Sequence, residues 1–178
     1  MKLSKRRSRQ VGAESLEFTF VLLPLLATIF VLLDTSWAIF SKSTLQRAVR
    51  VGVRRGVTIT SAEATGGQCL TAMVKATVQS NSLGLLAGSS GLAKIKVNYI
   101  QPPPPNSSAA AVDVSTQIGG NTPGNIMQVS VQNYSLLPLI PRIFSWKTAP
   151  DNSPLNITVY SADRIEPSRI PPCIGTAP

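Results

Sequence analysis

The distribution of apolar and polar positions is dominated by one long run near the start of the chain. From Phe18 to Leu33 there is no charged residue, and extending the run to Phe40 adds only Asp34. About 23 residues are thus available where a helix needs roughly 20 to cross a bilayer. Helical periodicity then persists through 41–60, where Leu45, Val49, Val53 and Val57 recur every four residues while Arg47, Arg50 and Arg54 line another face. A membrane helix continuing as an amphipathic stalk over 13–60 is predicted. Gly66-Gly67 ends it, and Cys69–Ser80 predicts a short second helix with Leu70, Met73 or Val74, and Thr77 or Val78 on one face. Residues 81–91, rich in Gly and Ser, predict a loop.

Period-two alternation follows in three segments, 94–99 (KIKVNY), 127–132 (MQVSVQ) and 155–160 (LNITVY). Each has one apolar and one polar side, as a half-buried antiparallel sheet requires. Between the first two lies 101–125, with Pro102 to Pro105 in a row and then mainly Asn, Ser, Ala, Gly and Thr, expected to be a mobile excursion or a polyproline-II spacer. Between the second and third lies an apolar stretch from Leu136 to Trp146, which either caps the core or forms an exposed interaction patch. The expected class is α+β: a long N-terminal transmembrane and stalk helix, a short second helix and a small antiparallel sheet of about three or four strands.

Length and charge narrow this picture. The 178 residues leave room for a basic leader (1–12), the helix (13–60) and one small exported domain (61–178). The net charge of +9 invites a nucleic-acid partner, but the bases cluster at the flanks of the apolar run: Lys2, Lys5, Arg6, Arg7 and Arg9 before it, Lys42, Arg47, Arg50, Arg54 and Arg55 after it. Beyond position 55 seven basic residues face five acids, so the charge belongs to the membrane flanks and no nucleic-acid partner is expected. Two cysteines, Cys69 and Cys173, form either one disulfide closing a loop of roughly 100 residues or two unpaired thiols. There is no histidine, and no P-loop, G-x-G-x-x-G or S-x-x-K motif occurs. Neither an enzyme nor a metal, cofactor or small-molecule substrate is expected.

The front edge of the apolar run carries the functional signal. Glu17 stands directly before it, and Gly12 lies five residues ahead, behind the basic leader. A carboxylate there is costly, on the order of 2.5–3.5 kcal/mol at the bilayer centre and less near an interface. As a bare helix feature it is an N-terminal acid favoured by the macrodipole. Its pairing with a glycine points further. Residues 12–18, Gly-Ala-Glu-Ser-Leu-Glu-Phe, followed by Pro24, resemble the start of the TadE family, small pseudopilins of tight-adherence (Flp, type IVc) pili with a type IV pilin-like fold. Ala48-Val49-Arg50-Val51-Gly52-Val53-Arg54 is similar to that family's A-A-R-x-G-A-R pattern, and Val129 to Tyr134 fits its V-x-V-x-Y segment loosely. Glu14, where small residues are usual, and Thr19, where alanine is common, depart from it.

The resemblance implies cleavage after Gly12 by a prepilin peptidase, leaving Ala13 at the N-terminus, and a role in pilus assembly, adhesion or secretion. The mature amino group would then lie one helical turn from Glu17, where an ion pair in cis or with a neighbouring subunit could hold the carboxylate. Phe18 belongs to the same signal, and Pro24 permits a local kink. Gly52 and Gly56 either admit a closely packed element or are tolerated weak points, and Arg50 and Arg54 either are solvated, meet lipid headgroups, or dock another pilus component. Implied partners are the membrane, the peptidase, other pilins and pilus assembly proteins. The implied location is the inner membrane, single-pass, with the N-terminus cytoplasmic and the C-terminal domain exported. Two other readings stay open: a secreted module released by signal peptidase after Ser36-Trp37-Ala38, and an uncleaved single-span anchor carrying a binding domain.

Overall fold

A computed structural model describes residues 10–59, 69–136 and 155–166, with side chains from residue 15 onward in the first segment. The leader up to residue 9, the Gly66-Gly67 break, the apolar stretch after Leu136, and Cys173 lie outside the described residues. Packing divides the described residues into two units, one with 10–39 and one with 40–59, 69–136 and 155–166. The elements are helices α1 (Gln10–Thr58), α2 (Leu70–Ser80) and α3 (Gly88–Ala93) and strands β1 (Ile95–Gln101), β2 (Val112–Asp113), β3 (Ile126–Leu136) and β4 (Leu155–Arg164). The expected α+β class, with a long apolar N-terminal helix and a small antiparallel sheet, is what the chain adopts.

In the first unit α1 is apolar on all sides. Leu16, Phe18, Phe20, Leu25, Leu32 and Ile39 are all exposed, and no 18-residue window of its most apolar stretch is buried. A helix need not be amphipathic if its solvent is hydrocarbon. Residues 16–39 cover about 36 Å at 1.5 Å per residue, against about 30 Å for a bilayer's hydrocarbon core.

The second unit is built around the C-terminal part of α1. Leu45, Val49, Val53 and Val57 are buried, as their spacing predicts, and beside them Thr44, Ala48, Gly52 and Gly56 form a second buried row of small residues. On α2 the buried positions are Leu70, Thr71, Val74 and Val78. The sheet, in the order β2-β1-β3-β4, is antiparallel throughout. Its core face aligns Ile95 with Val131, Val97 with Val129 and Tyr99 with Met127, all buried. Burying this many apolar side chains, at roughly 1.5–3 kcal/mol each, is the main favourable term for the unit.

Three features depart from expectation. Residues 88–93, inside and just beyond the predicted loop, form α3, capped by Gly91 and Leu92 carbonyls that accept the Lys94 N–H. Within 101–125, expected to be a mobile excursion or spacer, β2 pairs with β1, and Val114, Ser115 and Asn121 are buried. The Tyr99 N–H donates to the Ser115 hydroxyl at 2.8 Å, and the Val114 N–H donates to the Tyr99 carbonyl at 2.8 Å, so this segment completes the sheet edge. Finally, β3 and β4 run past the predicted segments because β3 carries a bulge between Val131 and Tyr134, with Asn133 in the left-handed region at φ 55°. One extra residue resets the alternation, so Tyr134 and Leu136 take over the face begun by Met127, Val129 and Val131.

Candidate functional site

The sequence points to α1 as the functional element, and its two parts do different things. At its start the helix already runs from Gln10, so the Gly12-Ala13 bond lies inside the first turn rather than before it. Nothing in Gln10-Val11 breaks a helix, and a terminal turn opens at little cost. Glu17 and Phe18 are exposed, Phe18 at 66%. The Glu17 carboxylate has no hydrogen bond or ion pair among the described residues, so nothing within the described chain offsets its charge.

Pro24 lies within the helix without ending it. A proline removes one N–H and crowds the carbonyl four residues back, which a lipid-facing helix tolerates where neighbouring groups compensate. The hydroxyls of this stretch all turn onto their own backbone. Thr19 donates to the Ser15 carbonyl at 2.8 Å, Thr28 to Leu25 at 2.7 Å, Thr35 to Val31 at 2.8 Å and Ser36 to Leu32 at 2.7 Å. No hydroxyl donor is therefore left for hydrocarbon to face.

Past residue 40 the same helix becomes half core. A Cβ added at Gly52 would collide with Val78 Cγ2, and one at Gly56 would lie 2.6 Å from Met127 Sδ and 2.8 Å from Val74 Cγ2. The two glycines thus admit α2 and β3 to within backbone distance of α1, the close approach that their spacing allowed for. The sequence reading named these glycines but not Thr44 and Ala48, which extend the same small row; the i+4 recurrence was there to be seen.

Arg50 and Arg54 point away from this core, as do Arg47 and Arg55. Arg50 and Arg54 border a cleft of about 490 Å³ whose opposite wall is the C-terminal end of β4. Cys69 directly precedes α2; its expected pairing with Cys173 falls outside the described residues. Among the described residues no group of three metal-ligating side chains occurs.

Ionisable groups elsewhere are tied to packing. Burial pushes the Tyr99 hydroxyl up to about 12, partly offset by its contact with the Thr71 hydroxyl at 3.4 Å. Asp113 is held below the usual carboxylate range, first by the Ser115 hydroxyl, then by the Ser115 N–H and Asn98. Lys75 is lowered by partial burial and by Lys96 nearby.

Comparison with known families places residues 12–54 in register with the family described as TadE-like protein. The matched stretch holds the candidate cleavage site, the apolar run and the rows of small and large residues as far as Val53, and it bears out the resemblance drawn from Gly12 to Phe18 and Ala48 to Arg54. The TadE-like segment suggests a pilus-associated protein, and the apolar helix, long enough to cross a membrane by length and composition, suggests a single-pass anchor. No curated protein and no solved structure matches the chain.

Proposed function

We propose that this protein is a minor pilin or pseudopilin of a tight-adherence pilus or related secretion system. It inserts in the inner membrane with its N-terminus in the cytoplasm, is cut after Gly12 by a prepilin peptidase, and assembles through α1. The role is structural rather than catalytic. The observation that carries the reading is the split character of α1, apolar and exposed through Ile39 and then locked by Gly52 and Gly56 into a folded domain. A helix of this kind presents a lateral packing surface in the membrane and contributes its other part to a folded domain.

In this mechanism Glu17 selects a neighbour. The amino group freed at Ala13, in the same subunit or an adjacent one, supplies the positive charge that an acid at the mouth of an apolar helix needs. Pro24 supplies the local bend that lets the helix fit its neighbours. A disulfide between Cys69 and Cys173 would tie the start of α2 to the C-terminal tail in the oxidising exported compartment.

N-terminal sequencing of the membrane-extracted protein tests the reading. The mature chain should begin at Ala13; a start at Ile39 would mean a secreted module, and one at Met1 an uncleaved anchor. Gly12→Leu should leave a full-length precursor in the membrane, whereas Glu17→Ala should be processed and inserted but absent from pili. Normal processing of the glycine variant would overturn the proposal.

A further inference from the structure

The cleft beside α1 is not accounted for by membrane insertion or helix assembly. Its floor is the side of α1 carrying Val53 and Val57; one rim is Arg50 and Arg54, and the other is β4 with Asp163 and, just past it, Glu166. The polarity of that second wall is unusual. On the core face of the sheet β4 runs Leu155, Ile157, Val159 and then Ser161 and Asp163, opposite Leu136, Tyr134, Val131, Val129 and Met127. An edge strand that completed the core would carry apolar residues at the last two places. Here the core stops short and leaves a recess.

Neither guanidinium beside the recess is used within the described chain: Arg50 and Arg54 are exposed and have no hydrogen bond or ion pair among the described residues. Asp163, in contrast, already accepts the Arg164 N–H at 2.8 Å. We propose that this cleft binds an extended segment of a partner protein carrying acidic residues at alternate positions. The spacing argues for that pattern. Residues four apart on a helix are about 6 Å apart along its axis, and alternate side chains of an extended strand are about 6.7 Å apart on one face. Two carboxylates in an acid-x-acid segment can therefore each take one arginine fork, the geometry in which Arg binds carboxylate most strongly.

The opposite wall sets what lies between the acids. Asp163 repels a further anion and suits neutral or basic residues that donate hydrogen bonds, with Ser161 on the same wall. An anionic membrane surface fits less well. It is flat and of one charge, so it could not enter the recess without meeting the two carboxylates. The inference is independent of how, or whether, the N-terminus is processed.

The test uses the full chain in detergent micelles and fluorescence anisotropy of a labelled peptide, Gly-Glu-Thr-Glu-Thr-Glu-Gly, at physiological salt. A composition-matched control, Gly-Glu-Glu-Thr-Thr-Glu-Gly, has no two acids at alternate positions. The alternating peptide should bind at least tenfold tighter than the control. Arg50→Gln with Arg54→Gln should abolish that preference, while Arg47→Gln with Arg55→Gln, which removes the same charge outside the cleft, should change affinity less than twofold. Equal binding of both peptides, equal losses in the two double variants, or competition by phosphatidylglycerol vesicles but not by unlabelled peptide would each overturn the proposal.

Discussion

The two parts of α1 share one backbone, yet they obey different rules. Through Ile39 the large residues point in every direction and are exposed, Phe20 at 76% and Leu32 at 66%. From Ser41 on, the helix sorts its residues: large apolar on one row, small on the next, arginine on the outside. The first pattern has no inside and requires an apolar solvent or apolar neighbours; the second has an inside made by this chain. Exposure of leucine teaches nothing by itself. A helix that is apolar all round for 24 residues and then abruptly amphipathic marks where the solvent changes.

Substitution of small residues should break the comparison most sharply. At Gly52 the first atom of any side chain meets Val78 Cγ2, and a branched side chain would push α2 off α1. Gly52→Leu is expected to cost more than about 3 kcal/mol, at the severe end for overpacking, and to remove the thermal transition of the folded domain. Ala27→Leu, in the apolar part, should leave that transition unmoved, because the side chain has only lipid or a partner helix to displace. If both substitutions unfolded the domain, the two parts of α1 would not be separate in the way described.

Alkaline titration should sharpen it. Tyr99 is fully buried, and its folded-state value of about 12 stands above the ordinary 10. The folded state holds the phenolic proton more tightly, so the stability this adds is complete below pH 10 and is lost as pH rises from 10 through 12. The loss is roughly 2–3 kcal/mol at 1.36 kcal/mol per unit. Between Ser15 and Ile39 there is no tyrosine, lysine, arginine or cysteine. Circular dichroism in micelles should show the sheet melting above pH 10 while much of the helical signal remains. Tyr99→Phe should shift the midpoint upward.

How much of this could be read from residues alone follows from the range of each signal. The Leu45 to Val57 row, the second helix and three of the strands are local periodicities, and local periodicity is what a sequence displays. The six residues Gly-Ser-Ser-Gly-Leu-Ala of α3 have weak helix propensity and are held by what surrounds them. Strand β2 has two residues and exists because Ser115 and Val114 bond Tyr99 across the turn. The bulge at Asn133 shifts β3 by one position, and one residue of slip erases an alternating pattern. The glycine, glutamate and arginine positions of the candidate site were legible as a motif. The recess was not, since it needs Arg50 beside Asp163, which are far apart along the chain and meet only through the register of the sheet.

The boundary itself can be probed with two serines five residues apart, and this is the smallest effect expected. Ser36 lies in the apolar part, and its hydroxyl donates to the Leu32 carbonyl at 2.7 Å. Ser41 is fully buried in the second unit, and its hydroxyl oxygen is buried without a hydrogen-bond partner among the described residues. An unsatisfied buried hydroxyl costs about 1–3 kcal/mol, whereas the space left by replacing it with a methyl group is a single oxygen. Ser41→Ala should therefore stabilise the folded domain, by about 1 kcal/mol, raising its thermal midpoint by a few degrees. Ser36→Ala should leave that midpoint where it is, because the bond it removes belongs to a helix turn that the domain does not share. A destabilised Ser41→Ala variant would mean that the hydroxyl has a partner in the working protein, and the polar contact at the base of the domain, rather than the glycine row alone, would then fix where the solvent-facing part of α1 begins.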